Sequence, residues 1–149
     1  MKRLTYIHTF NFTTLLFAIC IAIGFSSTLV AADQKKRIVL QLTDNSAQKQ
    51  VLVLNVADNL LKKYKDKLEL EIVAFGPGLQ LLFAENAENN RVNQLAKQGI
   101  RFSACRNTAK KMEAAIGHKP DLNQYAVETD GGAARIIDLV EQGYILLRP

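Results

Sequence analysis

Cys105 is the residue of this 149-residue chain whose type and sequence surroundings best fit a reactive, nucleophilic role. It ends an apolar segment, and Arg106 follows it directly. The thiolate of a cysteine, not the thiol, attacks sulfur compounds, and cations or a helix N-terminus nearby lower the pKa that controls its formation. Free cysteines are also among the most buried residue types, so a structural role for Cys105 stays open.

Other candidate site residues follow Cys105 or lie in glycine turns. Glycine lets backbone amides approach an anionic ligand, because it lacks a side chain and adopts positive φ. Each such turn can equally be structural. One histidine, His118, and one cysteine after residue 32 are too few soft ligands for a zinc or copper site, so we expect no metal and no cofactor. The candidate ligand-binding residues are Gly76, Pro77, Gly78, Arg106, Asn107, Thr108, Gly131 and Gly132.

Strands and helices are predicted to alternate along the chain. Apolar residues at helical spacing predict a long helix over residues 47–64, and further helices end at Gly99 and Ile116. The last helix is predicted to bury Ala133, Ile136, Ile137 and Val140. Short apolar runs predict strands over residues 37–42, 68–75, 100–104, 126–128 and 144–148.

This alternation predicts a single α/β domain with a mostly parallel sheet of about five strands and helices on both faces. In such sheets, sites gather at the carboxyl ends of the strands. Gly76-Pro77-Gly78 follows the second strand and Cys105 follows the third, so both are expected at that edge. Asn107 and Thr108 are predicted to cap the helix after Cys105.

Residues 1–32 are predicted to be an export signal. Lys2 and Arg3 give a basic start, an apolar run extends from Leu15 to Phe25, and small residues precede a cleavage site after Ala32. We therefore expect the mature protein to be periplasmic or secreted, without stable membrane insertion. An uncleaved anchor is the alternative, because the uncharged segment is long enough for a bilayer that needs about 17 to 25 residues.

The charge and cysteine counts exclude two classes of protein. The chain has 19 Lys and Arg against 14 Asp and Glu, a formal charge of +5, and cleavage after Ala32 leaves about +3. The cations are scattered without interleaved aromatic residues, so we expect no nucleic-acid partner. Because Cys20 lies in the leader, Cys105 has no partner in residues 33–149, which excludes a disulfide framework there.

Four segments occur in an order that resembles the DsrE/DsrF-like family. They are Phe75 to Leu79 after a strand, Gly99 to Phe102 opening the next, Cys105 to Thr108 closing it, and Gln142 to Pro149 at the end. The resemblance covers nearly all of residues 33–149. It implies a compact α/β domain that forms a homotrimer or homohexamer, with Cys105 as the working cysteine. Some members carry persulfide sulfur in sulfur oxidation or tRNA thiolation relays.

Two features depart from that family. The relay proteins are cytoplasmic, and where related sequences often carry a Val-Pro-Ser-Gly turn this chain has Glu128 to Gly132. We predict an exported sulfur carrier, rather than a turnover enzyme, in which Cys105 accepts persulfide sulfur from, or passes it to, an unidentified donor or acceptor protein. The alternative is a non-catalytic oligomeric module that binds a small ligand or a protein and has a structural Cys105.

Overall fold

The computed structural model describes residues 35–149, and the predicted signal peptide with its cleavage site after Ala32 lies outside them. Five strands form one sheet within the described residues: β1 Lys36–Leu42, β2 Leu68–Ala74, β3 Arg101–Cys105, β4 Ala126–Thr129 and β5 Ile145–Leu147. The α-helices are α1 Ala47–Tyr64, α2 Asn89–Lys97, α3 Arg106–Ile116 and α4 Gly132–Glu141. Two 3-10 segments cover Lys65–Lys67 and Gly76–Leu82.

The sheet has the strand order β4-β3-β2-β1-β5, and every neighbouring pair is parallel. The chain adds strands in one direction from β1 to β4 and then returns to place β5 on the other side of β1. The carboxyl ends of all five strands therefore meet at one edge, which we call the carboxyl edge. The predicted α/β domain with helices on both faces of a parallel sheet is confirmed.

One face of the sheet, the helix-rich face, is covered by α1, α2 and α3. Alternate residues of the strands point to this face because strand side chains alternate with a period of two. Leu40, Ile72 and Phe102 are fully buried there against Leu54 of α1 and Leu95 of α2. This cluster holds most of the buried apolar side chains of the described residues, so it supplies most of their hydrophobic stabilisation.

The opposite face, the α4 face, is covered by α4 alone. Ile136 and Leu139 pack there on Val39 of β1 and Val73 of β2. The expected burial of Ala133, Ile137 and Val140 is wrong, since Ala133 is exposed and Ile137 and Val140 are 58% and 45% exposed. The 3.6-residue period places Gly132, Ile136 and Leu139 on the sheet side of the helix, and Ile137 and Val140 fall outside that stripe.

A buried ion pair fixes α4 on this face. Glu71 of β2 is only 2% exposed. Arg135 of α4 donates two hydrogen bonds to its carboxylate, from Nε at 2.8 Å and from Nη2 at 2.7 Å. Ser103 of β3 donates a third, from its hydroxyl at 2.5 Å. A buried carboxylate needs such partners, because losing water is otherwise costly. The hydrogen bonds to Glu71 also raise the pKa of Arg135, against a smaller opposing effect of burial.

Candidate functional site at the carboxyl edge

Cys105 lies where β3 ends and α3 begins. Its backbone is extended, with φ −71° and ψ 112°, and it is the N-cap residue of α3. The helix therefore starts at Arg106, and the prediction that Asn107 and Thr108 cap it is wrong, because they are its second and third residues. Strand alternation turns Cys105 to the α4 face, as it does Ser103, and the residue is 5% exposed.

Several hydrogen-bond donors converge on the sulfur of Cys105. Burial is the largest single influence on the thiol and raises its pKa. The hydroxyl of Thr108 and the backbone N–H groups of Thr108, Gly132 and Asn107 together outweigh burial, so the pKa of Cys105 lies below the usual value of 9.0. The side chain makes no close capping hydrogen bond, so these donors act at longer range. They belong to the first turns of α3 and α4, whose positive dipole ends favour a thiolate.

Thr108 connects this sulfur to the turn after β2. The backbone N–H of Gly76 donates to Thr108 Oγ1 at 3.0 Å. Because the oxygen accepts that hydrogen bond, its own proton remains available for the sulfur of Cys105. Gly76 has φ +55°, the left-handed conformation that glycine adopts without steric cost.

The close approach of α4 to Cys105 depends on a glycine. A Cβ added to Gly132 would lie 2.6 Å from the Cβ and Cγ atoms of Phe75, so only glycine lets the first residue of α4 come this near to β2. Gly131 differs, because its added Cβ would meet Ala134 at an ordinary 3.7 Å. Gly78 resembles Gly132, since its added Cβ would lie 2.5 Å from the carbonyl oxygen of Leu42. Gly132 and Gly78 are thus required by packing.

Arg106 forms ion pairs with carboxylates rather than with the sulfur of Cys105. It pairs with Glu128, 3.3 Å from Nε, and with Asp130. Lys119 donates to Glu128 at 2.6 Å, and this bond, opposed by burial and supported by Arg106, lowers the pKa of Glu128. The cations near Cys105 in sequence were expected to lower its pKa, but hydrogen-bond donors do so.

A polar cavity of about 320 Å³ lies beside this ion-pair network. Arg106 and Gly131 line it together with Arg101 and Arg135. The hydroxyl oxygen of Thr129, the neighbour of Cys105 on β4, is buried there without a hydrogen-bond partner among the described residues. The three guanidinium groups are balanced by carboxylates, including those of Glu71, Glu128, Asp130 and Asp138, so the cavity has no excess of positive charge.

Two apolar cavities, each of about 570 Å³, lie at the carboxyl edge and share Phe75 as a wall. The first, the α3 groove, lies between the Gly76–Leu82 segment and α3. The second lies beside β1, β5 and α4, where the order of strands reverses. The α3 groove is lined by Asn45, Phe75, Gly76, Pro77, Gln80, Thr108, Lys111, Met112 and Ala115.

The candidate residues predicted from the sequence therefore lie in several different places rather than in one site. Gly76, Pro77 and Thr108 share the α3 groove, whereas Arg106 and Gly131 line the polar cavity. The backbone N–H groups of Asn107 and Gly132 lower the pKa of Cys105, and Gly78 is buried against Leu42. Phe75, Glu71, Arg135 and Lys111 were not predicted as site residues. The only sequence feature that could have indicated the ion pair is Glu71, an acidic residue within an apolar strand.

Neither a metal cluster nor a membrane-spanning helix is present in residues 35–149. No group of three or more His, Cys, Asp or Glu side chains there could hold a metal ion. No helix in this range is long and apolar enough to cross a bilayer.

Comparison with known proteins supports the architecture. No protein-family model matches the chain, and no curated protein matches it. Among solved structures, the chain is similar to that of MTH1491, a protein of unknown function from Methanobacterium thermoautotrophicum. The two share 25% sequence identity with a TM-score of 0.70, over 77% of this chain and all of the other. The chain has a single-domain α/β fold.

Proposed function

We propose that this protein is an exported persulfide carrier of the DsrE/DsrF-like type, in which Cys105 accepts a sulfane sulfur and passes it to a partner. One observation carries the proposal. Donors from Thr108, Asn107 and Gly132 lower the pKa of a thiol that burial alone would raise. Only the thiolate is nucleophilic towards sulfur, so this arrangement suits a sulfur acceptor.

The proposed loading step needs no external oxidant or reductant. The Cys105 thiolate attacks a terminal sulfur of a hydrogen polysulfide, one sulfur–sulfur bond of the donor breaks, and a new bond forms at Sγ. The shortened polysulfide leaves as an anion with the electron pair, and Cys105 becomes a persulfide. Residues 33–149 contain no second cysteine that could resolve this persulfide as an intramolecular disulfide.

A structural Cys105 in a non-catalytic binding module is the competing function, and its 5% exposure favours that alternative. An inert buried cysteine behaves as a small apolar side chain and needs no donors around its sulfur. The donors from two helix starts are the reason that we prefer the carrier.

Assembly and export complete the proposal. We propose a homotrimer or homohexamer, because Ile137, Val140 and Ile145 leave apolar surface exposed that association would bury. Light scattering that shows only monomers at micromolar concentration would contradict this. Export requires that the protein from its native host begins after Ala32, which a mass measurement checks.

The function is tested by loading Cys105 with sulfur. We expect that the reduced mature protein, which lacks Cys20, gains the mass of added sulfur in intact mass spectrometry after incubation with polysulfide and loses it on treatment with a reductant. Cys105→Ser should keep the circular dichroism spectrum of the wild type and gain no sulfur. A wild type that stays unmodified while a model thiol reacts, or a Ser variant that loads equally, would refute the carrier.

A further inference from the structure

The α3 groove shares Thr108 with the surroundings of Cys105 and belongs to no step described above. Its volume of about 570 Å³ is within the range of roughly 300 to 1,000 Å³ that is typical of small-molecule sites. It is outside the carboxyl ends of β1, β2 and β3, the edge of a parallel α/β sheet at which ligands bind, and the strand order reverses at the other apolar cavity, between β1 and β5. Its walls are mainly apolar, formed by Phe75, Pro77, Met112 and Ala115.

The groove reaches the sulfur through one residue. Thr108 lines the groove and is the third residue of α3, in the helical turn that Cys105 caps, and its hydroxyl and backbone N–H lower the pKa of Cys105. The N–H of Gly76, another lining residue, holds that hydroxyl at 3.0 Å. A molecule in the groove that contacts Thr108 is therefore within one turn of α3 of Cys105, which does not itself line the groove.

One wall of the groove, the Gly76–Leu82 segment, is held in place by contacts with the end of β1 and the loop after it. Gly78 packs its backbone against the carbonyl group of Leu42, which fixes the 3-10 segment that forms one wall. Asn45 donates to Gln80 at 3.2 Å and joins the loop after β1 to the same segment. This wall is thus fixed before a ligand arrives, which reduces the entropic cost of binding.

The groove has a single charged lining residue, Lys111. Lys111 has no hydrogen-bond or ion-pair partner among residues 35–149. It follows Thr108 by three residues on α3, so the two side chains lie on the same side of the helix. An anionic group at Lys111 would therefore place the body of a ligand along the apolar wall, with its other end at Thr108.

We infer that the α3 groove binds a small organic disulfide or persulfide that has an apolar body and an anionic group. This inference rests on the proposed function for the identity of the reacting sulfur. In the reaction, the Cys105 thiolate attacks one sulfur of the ligand, and the ligand's sulfur–sulfur bond breaks. A new bond forms at Sγ, and the other half leaves as a thiolate with the electron pair.

Binding is tested first, without Cys105 chemistry. Anilinonaphthalene sulfonate combines an apolar body with an anion, and its fluorescence should rise in the groove of the wild type and of Cys105→Ser alike. Ala115→Phe fills the groove from an exposed position and should weaken binding about 10-fold, as overfilling a site does. Ala114→Phe, on the same helix but outside the lining, is the matched control and should bind as the wild type does.

Charge recognition is tested on the reaction. Dithiobis(nitrobenzoate) is an anionic aromatic disulfide, and dithiodipyridine is a neutral one. Lys111→Gln should slow the anionic reagent roughly 2- to 5-fold, the range for one exposed charge pair, and leave the neutral reagent unchanged. Lys110→Gln removes a neighbouring exposed cation outside the groove and should change neither rate.

The outcomes separate the inference from the proposed function. If Ala115→Phe binds the dye like the wild type, or if Lys110→Gln and Lys111→Gln slow the anionic disulfide equally, the groove is not the site. Either result leaves polysulfide loading of Cys105 untouched. If the dye and the disulfides behave as expected but polysulfide adds no sulfur, the groove stands as a ligand site and the carrier function fails.

Discussion

The two faces of the sheet are built in different ways. The helix-rich face packs three helices on a continuous apolar cluster, whereas the α4 face has one helix, a small apolar cluster and the buried Glu71–Arg135 pair. Cys105 points to the second face. The comparison indicates that stability resides mainly on one side of the sheet, and that the other side holds polar groups close to the carboxyl edge.

The largest effect is expected from a cavity on the helix-rich face. Leu54→Ala removes a fully buried side chain and should lower the free energy of unfolding by about 3 kcal/mol, as for other buried leucines. Ile137→Ala on α4 is the control, because an exposed side chain should cost less than about 0.5 kcal/mol. Urea unfolding of both variants measures the difference. Equal losses would show that the two faces contribute alike.

The next effect is expected from the buried ion pair. Arg135→Met leaves the Glu71 carboxylate without its bidentate partner and should cost about 2 to 3 kcal/mol, at the low end for a broken buried pair because Arg135 is partly exposed. The double variant Glu71→Leu with Arg135→Met should recover at least about 1 kcal/mol of that loss, since no buried charge remains unpaired and Arg101, the other ion-pair partner of Glu71, is exposed to water. A double variant less stable than Arg135→Met would contradict this role of the pair.

A smaller effect is expected at the start of α4. Gly132→Ala forces a methyl group against Phe75 and should cost about 1 to 2 kcal/mol. It should also raise the pKa of Cys105, because the N–H of residue 132 moves away from the sulfur. Gly131→Ala has room for its methyl group, but Gly131 is the N-cap of α4 and alanine caps less well than glycine, so it should cost only about 0.5 kcal/mol. Thermal unfolding and thiol titration of both variants measure these effects. Equal changes in the two variants would show that the contact of Gly132 with Phe75 has no special role.

The smallest effect is expected from the hydroxyl of Thr108. Thr108→Val keeps the shape but removes a donor to Cys105, so it should raise the pKa of the thiol and slow its alkylation at neutral pH. Thr108→Ser retains the hydroxyl and should react like the wild type. The rates at which iodoacetamide alkylates Cys105 in the wild type and the two variants measure this difference. Equal rates for valine and serine would remove Thr108 from the site.

The order of elements was predictable from the sequence because it follows from local patterns. Alternation and apolar runs predicted β2 over residues 68–75, and it covers Leu68–Ala74. The helical period and the stop at Gly117 predicted the end of α3 at Ile116. The burial of α4 was predicted in part, because a helix with apolar residues on two sides does not show which side faces the sheet.

Of the candidate site, only the position of Cys105 was predictable from the sequence. Cys105 and its position at the end of β3 follow from the chain order. The donor from Gly132 and the pairing of Arg135 with Glu71 join residues far apart in sequence, and they depend on how α4 lies on the sheet. The same dependence explains why Arg106, next to Cys105 in sequence, bonds to Glu128 and Asp130 instead of influencing the sulfur.

The central claim is that the folded protein lowers the pKa of Cys105, and the pH dependence of its alkylation tests this most directly. Because the folded state lowers the pKa, stability from the thiolate is full above the unfolded value near 9.0 and is lost as pH falls through the folded pKa. We expect the rate of iodoacetamide modification of the native protein to reach half its maximum clearly below pH 9.0, and at pH 9.0 after unfolding in urea. A native midpoint at or above that of the unfolded chain would contradict the account.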